Sequence, residues 1–105
     1  MFKILIAEDD VELRQMFQHV LNKSGYLVKG VSNGEEALEA LDEEYYDLII
    51  SDIMMPKMDG FEFAKTIRQD NKDIPILFIT AKDEFEDKRR SYLLYSRKRT
   101  AFRRI

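Results

Sequence analysis

The chain has 105 residues, 45% of them hydrophobic and 35% charged. That is enough for one globular core and too little for two. There is no Cys, which excludes disulfides and thiolate metal sites. The net charge of −3 hides an asymmetry. Residues 88–105 carry eight Lys and Arg and no acid, leaving nine basic against twenty acidic side chains in 1–87, a balance of −11. A basic terminus can meet nucleic acid. A solvated helix face is the simpler expectation, so direct nucleic-acid binding is not expected.

In chain order, Lys3-Ile4-Leu5-Ile6-Ala7 is a short continuous apolar run, as in a strand buried on both faces. The run is too short for a signal peptide and acids follow at once, so a cytoplasmic location is expected. No apolar stretch approaches the roughly 20 residues needed to cross a membrane. Leu13, Met16, Phe17, Val20 and Leu21 recur at spacings of three and four, which predicts a helix over about Val11–Lys23, stopped near Gly25. Tyr26–Val31 predicts a second strand. Asn33-Gly34 opens a helix through Glu36, Ala37, Leu38, Ala40 and Leu41. Asp47–Ser51 predicts a third strand. After a loop with Pro56, Asp59 is placed to cap a helix over Gly60–Arg68. Pro75 precedes a fourth strand, Ile76–Thr80, and a further helix is expected from Asp83 or Glu84.

Strand and helix in alternation predict a doubly wound α/β fold, a parallel sheet with helices on both faces. Ligands in such folds bind beyond the carboxyl ends of the strands. Glu8, Asp9 and Asp10 follow the first strand, Asp52 the third, and Thr80 ends the fourth. Carboxylates gathered in one cleft repel, and a hard divalent cation such as Mg²⁺ resolves the conflict. An acidic cleft with a hydroxyl beside it suits metal-assisted phosphoryl transfer. No Gly-rich phosphate loop is present, so a nucleotide is not expected. His19, the only histidine, lies in the first helix and away from the strand ends. Taken singly, each acid has a plainer role: Asp10 as a helix start, Asp52 as a turn residue, Asp59 as a cap.

The runs ILIAEDD, DLIISDIMMPKMDG and PILFITA resemble the receiver domains of bacterial two-component response regulators, over about residues 2–90. The resemblance implies a flavodoxin-like three-layer sandwich with strand order 2-1-3-4. It implies Asp52 as phosphoacceptor for a sensor histidine kinase or phosphotransfer protein. Glu8, Asp9, Asp52 and the backbone carbonyl of Met54 would hold Mg²⁺, and Thr80 would contact the phosphoryl group. The chain is then a phosphoacceptor domain rather than an enzyme. A Mg²⁺-dependent phosphatase would carry a second Asp two residues after the first, where Met54 stands.

Residues 91–105, within a single receiver domain spanning 1–105, depart from the family pattern. The family places a Lys-Pro pair at the end of a fifth strand. Counted from Thr80, Phe102 stands at the Lys position, Arg103 at the Pro position and Arg99 at an aromatic position. An altered reading frame would account for the change, and the other frames of the coding DNA test it. The fifth strand and fifth helix are therefore expected to be missing or remodelled. With no Gly or Pro from Ala81 to Ile105, the fourth helix is expected to run on past Leu94, with Thr100-Ala101-Phe102 as a less favoured makeshift strand. An exposed fourth strand would then favour self-association through the C-terminal segment. The alternative function is a phosphorylation-impaired, receiver-like interaction module.

Overall fold

The computed structural model describes residues 1–53, 55, 57–70, 72–80 and 100–104, with the backbone alone for 80, 100 and 102–104. Five strands, β1 (Lys3–Ala7), β2 (Leu27–Val31), β3 (Leu48–Asp52), β4 (Ile76–Thr80) and β5 (Thr100–Arg104), form one sheet in the order β2-β1-β3-β4-β5. All four pairings are parallel. Every strand therefore presents its carboxyl end at the same edge of the sheet.

Three described helices connect them: α1 (Val11–Lys23), α2 (Gly34–Glu43) and α3 (Gly60–Gln69). Each begins at a short polar side chain that accepts from the backbone amide three residues on: Asp10 from Leu13, Asn33 from Glu36, and Asp59 from Glu62. α1 ends where Gly25 turns with φ +98°, a left-handed conformation that glycine adopts without a Cβ penalty.

Alternation along the strands sends side chains to two faces. Leu5, Ala7, Ile49, Ile76 and Phe78 pack with Ala37, Ala40 and Leu41 of α2 and Phe61, Phe63, Ala64 and Ile67 of α3. Ile4, Ile6, Ile50 and Ile79 form the other layer, against Phe17 and Leu21 of α1. None of α1's side chains is fully buried, although two lean on this layer. The fold is the doubly wound α/β sandwich that the strand–helix alternation predicts.

The C-terminal segment corrects one expectation. A fifth strand is present, and it comprises Thr100–Arg104, the less favoured alternative extended by two arginines. Its residues pair in register with all of Ile76–Thr80. β4 is thus an interior strand, and self-association through an exposed β4 edge loses its basis. Pairing with β4 satisfies the backbone donors and acceptors on one side of TAFRR whatever its weak strand pattern. The helix expected from Asp83 or Glu84, with its extension past Leu94, lies outside the described residues.

Candidate functional site

The carboxyl ends of β1 and β3 are neighbours, with Ala7 paired to Ser51. This brings together Glu8, Asp9 and Asp52, whose nearest carboxylate oxygens all lie within 4.8 Å of one another. They differ in exposure: Glu8 is 2% exposed, Asp52 is half-buried and Asp9 is open to solvent. Asp52 is the last residue of β3 rather than the first of the loop. Its carbonyl accepts from the buried Ser51 hydroxyl at 2.9 Å.

The turn after β1 is held from several sides. The Glu8 amide donates to the Val31 carbonyl at 3.0 Å. Glu8 Oε2 accepts from the Asp10 amide at 3.1 Å. Arg14, one turn into α1, donates from Nη1 to the Glu8 carbonyl at 2.7 Å. Sequence reasoning missed Arg14. Its only signal was a cation on the first turns of the helix that follows the acids.

Burial pushes the Glu8 carboxyl up to about 7, the Asp10 amide opposes this, and the charges of Asp52 and Asp9 add to the rise. An acid with a raised folded pKa binds its proton more tightly folded than unfolded. Its contribution to stability is full below the ordinary value of 4.5 and is lost as pH rises through about 7. Glu8→Gln is therefore expected to stabilise the metal-free protein at pH 8, by on the order of 2 kcal/mol, and to change little at pH 4.5. Urea unfolding in chelator at the two pH values measures this. Equal stability of variant and parent at pH 8 would contradict a strained Glu8 carboxylate.

α3 is strapped to the same edge. The Gly60 amide donates to the Ile53 carbonyl at 2.8 Å. A Cβ on Gly60 would lie 2.7 Å from the Asp52 carbonyl oxygen. Lys57, in the loop between, has φ 68°, the left-handed region that costs a residue with a Cβ.

The other predicted residues fall as follows. Thr80 ends β4 at this edge, in register with Arg104. Met54 lies outside the described residues. Asp10 and Asp59 are caps, as their plainer role has it. His19 is exposed on α1 and is not part of the cluster.

A parallel α/β sheet with three carboxylates at the ends of adjacent strands defines a class: an acidic-pocket α/β domain whose clustered acids could hold a hard cation. The family model of the response regulator receiver domain matches residues 4–94, and the chain belongs to that family. It is 46% identical over 86 residues to the alkaline phosphatase synthesis transcriptional regulatory protein PhoP of Bacillus subtilis, covering 82% of this chain and 36% of the relative. It is 44% identical over 80 residues to the response regulator receiver protein CpdR of Brucella abortus, covering 76% of this chain and 67% of the relative. The chain thus spans about a third of the length of the first of these. Among solved structures it superposes on chemotaxis protein CheY4 of Vibrio cholerae with a TM-score of 0.84 at 36% identity, covering 98% of this chain and 85% of that one. It superposes on response regulator TrrA of Thermotoga maritima, solved in complex with Mg²⁺ and BeF, with a TM-score of 0.82 at 31% identity, covering 98% and 87%. The domain is therefore a signalling module of two-component systems. Among the described residues no helix is long and apolar enough to cross a membrane.

Proposed function

We propose that this receiver accepts a phosphoryl group on Asp52 from a phosphohistidine of a sensor histidine kinase or phosphotransfer protein, in a Mg²⁺-dependent reaction in the cytoplasm. The observation that carries this reading is the gathering of Glu8, Asp9 and Asp52 within 4.8 Å. The donor set fits the ion. Three carboxylates suit a hard cation, and a buried Glu8 held up to about 7 gains most from a positive neighbour. Glu8, Asp9, Asp52 and the Met54 carbonyl would hold it. When bound, Mg²⁺ supplies charge neutralisation for the carboxylates and the phosphoryl oxygens.

The chain's own groups do the rest. A carboxylate oxygen of Asp52 forms the new O–P bond as the donor's P–N bond breaks. The electron pair returns to the imidazole nitrogen, which takes up a proton. Asp52 is half-buried, so its position is set while one side stays open to the donor. Arg14 and the Asp10 amide hold the turn that carries Glu8 and Asp9. Thr80 would donate its hydroxyl to the transferred group. Such a domain turns over at most its own phosphoryl group and is not a general enzyme.

Incubation with Mg²⁺ and phosphoramidate, read by intact mass, tests the reading. One added phosphoryl per chain supports it, and none supports the phosphorylation-impaired interaction module instead. A second expectation concerns the ion alone. Mg²⁺ must compete with the Glu8 proton, so its affinity falls as pH drops below about 7 and binding releases a proton. Calorimetry in buffers of different ionisation enthalpy would show this release. Affinity that stays constant from pH 8 to pH 5.5 would remove Glu8 from the ion's surroundings.

A further inference from the structure

Gly30 lies inside β2 with an ordinary strand backbone. Of the four glycines only Gly25 has a positive φ, so the conformation at Gly30 asks for no glycine. A glycine inside a strand weakens it and often marks a place where another group approaches closely. Here that group comes from α1. Gly30 pairs with Ile6, which belongs to the layer that packs against Phe17 and Leu21 of α1. Paired positions of a parallel sheet share a face, so a side chain at position 30 would point toward α1. An added Cβ would lie 2.6 Å from Gln18 Oε1 and 3.1 Å from Arg14 Cδ. Arg14 and Gln18, four residues apart on one face of the helix, fill the space that a side chain would take.

Arg14 uses that space to reach the site. Its Cδ lies over Gly30, and its Nη1 donates to the Glu8 carbonyl at 2.7 Å. That carbonyl belongs to the peptide between Glu8 and Asp9. A trans peptide is a rigid plane, so holding its oxygen fixes the directions in which both acids leave the backbone. Asp52 stands on β3, outside this hydrogen bond. The spacing of the three carboxylates therefore depends on how firmly that plane is held.

We propose that Gly30 is a positioning residue of the acidic pocket: it leaves open the slot through which Arg14 holds the Glu8–Asp9 peptide, and so tunes the affinity for the ion. This rests on the pocket taking Mg²⁺. The full chain is compared with Gly30→Val, Arg14→Met, the two combined, and Gly30→Val joined to Gln18→Ala. Urea unfolding identifies the conditions in which each is folded. Calorimetry gives the affinity for Mg²⁺ alone, and intact mass gives the Mg²⁺ dependence of labelling by phosphoramidate. The Asp9 amide resonance, recorded in chelator, reports the held peptide without metal.

Gly30→Val and Arg14→Met are each expected to bind Mg²⁺ about tenfold more weakly, the scale of one lost charge-assisted hydrogen bond. Half-maximal labelling should need about tenfold more Mg²⁺, with the rate at saturating Mg²⁺ near that of the parent. Both should shift the Asp9 amide in the same direction. The combined variant should lose no more than Arg14→Met alone, because both changes remove the same bond. Gln18→Ala relieves the nearer contact but leaves Arg14 displaced, so it should not restore affinity to Gly30→Val. Where the bulk of valine prevents folding, Gly30→Ala, whose Cβ still meets Arg14 Cδ, takes its place. Parent-like affinity in the folded Gly30 variant would overturn the proposal. So would losses that add in the combined variant, or rescue by Gln18→Ala. A parent chain that binds no Mg²⁺ overturns the ion reading itself, before any variant is compared.

Discussion

Asp52→Asn is expected to lower phosphoryl incorporation from phosphoramidate to background, a loss of at least about 100-fold by intact mass. The neighbouring acids are poor substitutes. Glu8 is buried and holds its proton up to about pH 7. Asp9 is exposed and follows β1, which β3 separates from β4. The variant also carries an internal control. The charge of Asp52 is one cause of the raised Glu8 carboxyl, so its removal should let Glu8 titrate lower. Carboxyl-detected NMR would follow Glu8 directly. A label that persists in Asp52→Asn would place the acceptor elsewhere.

Gly60→Ala is expected to cost about 3 kcal/mol in urea unfolding, near the upper end of overpacking penalties. The added Cβ would meet the Asp52 carbonyl oxygen at 2.7 Å, Phe78 Cε1 at 2.9 Å and Ile53 Cα at 3.0 Å. Two of these are backbone atoms that cannot rotate aside. Relief would require α3 to move from the end of β3, and Asp52 would move with it. Labelling should therefore fall in the protein that remains folded. A fully stable Gly60→Ala would mean that α3 packs less tightly on β3 than the Ile53 hydrogen bond implies.

Much of this arrangement was legible in the residues. Continuous apolar runs mark β1 and β4 at their observed bounds, because both strands are buried on two faces. The helical spacing of α1 and the caps Asp10 and Asp59 are local signals, and local signals survive into the fold. The gathering of Glu8, Asp9 and Asp52 follows from adjacency of β1 and β3, which alternation alone leaves open and the receiver resemblance supplies. Three features were not legible. The burial that raises Glu8 depends on how α1 and β2 close over the turn. Arg14 acts through a backbone carbonyl six residues back, which no spacing rule announces. β5 was the less favoured reading because no Gly or Pro from Ala81 to Ile105 stops a continued helix. Its stability comes from a partner strand distant in the chain.

β5 is joined to the sheet along one side only, while β1, β3 and β4 are held along both. Its distance in sequence from β4 matches that of β2 from β1, so the missing second neighbour is what sets it apart. Its amides should therefore exchange with deuterium faster than those of β1 and β3. Opening of that strand would expose β4 and leave the β1–β3 pairing that gathers Glu8, Asp9 and Asp52 in place. Early deuterium uptake confined to β5 would mark the outermost strand and the acidic pocket as separate cooperative units.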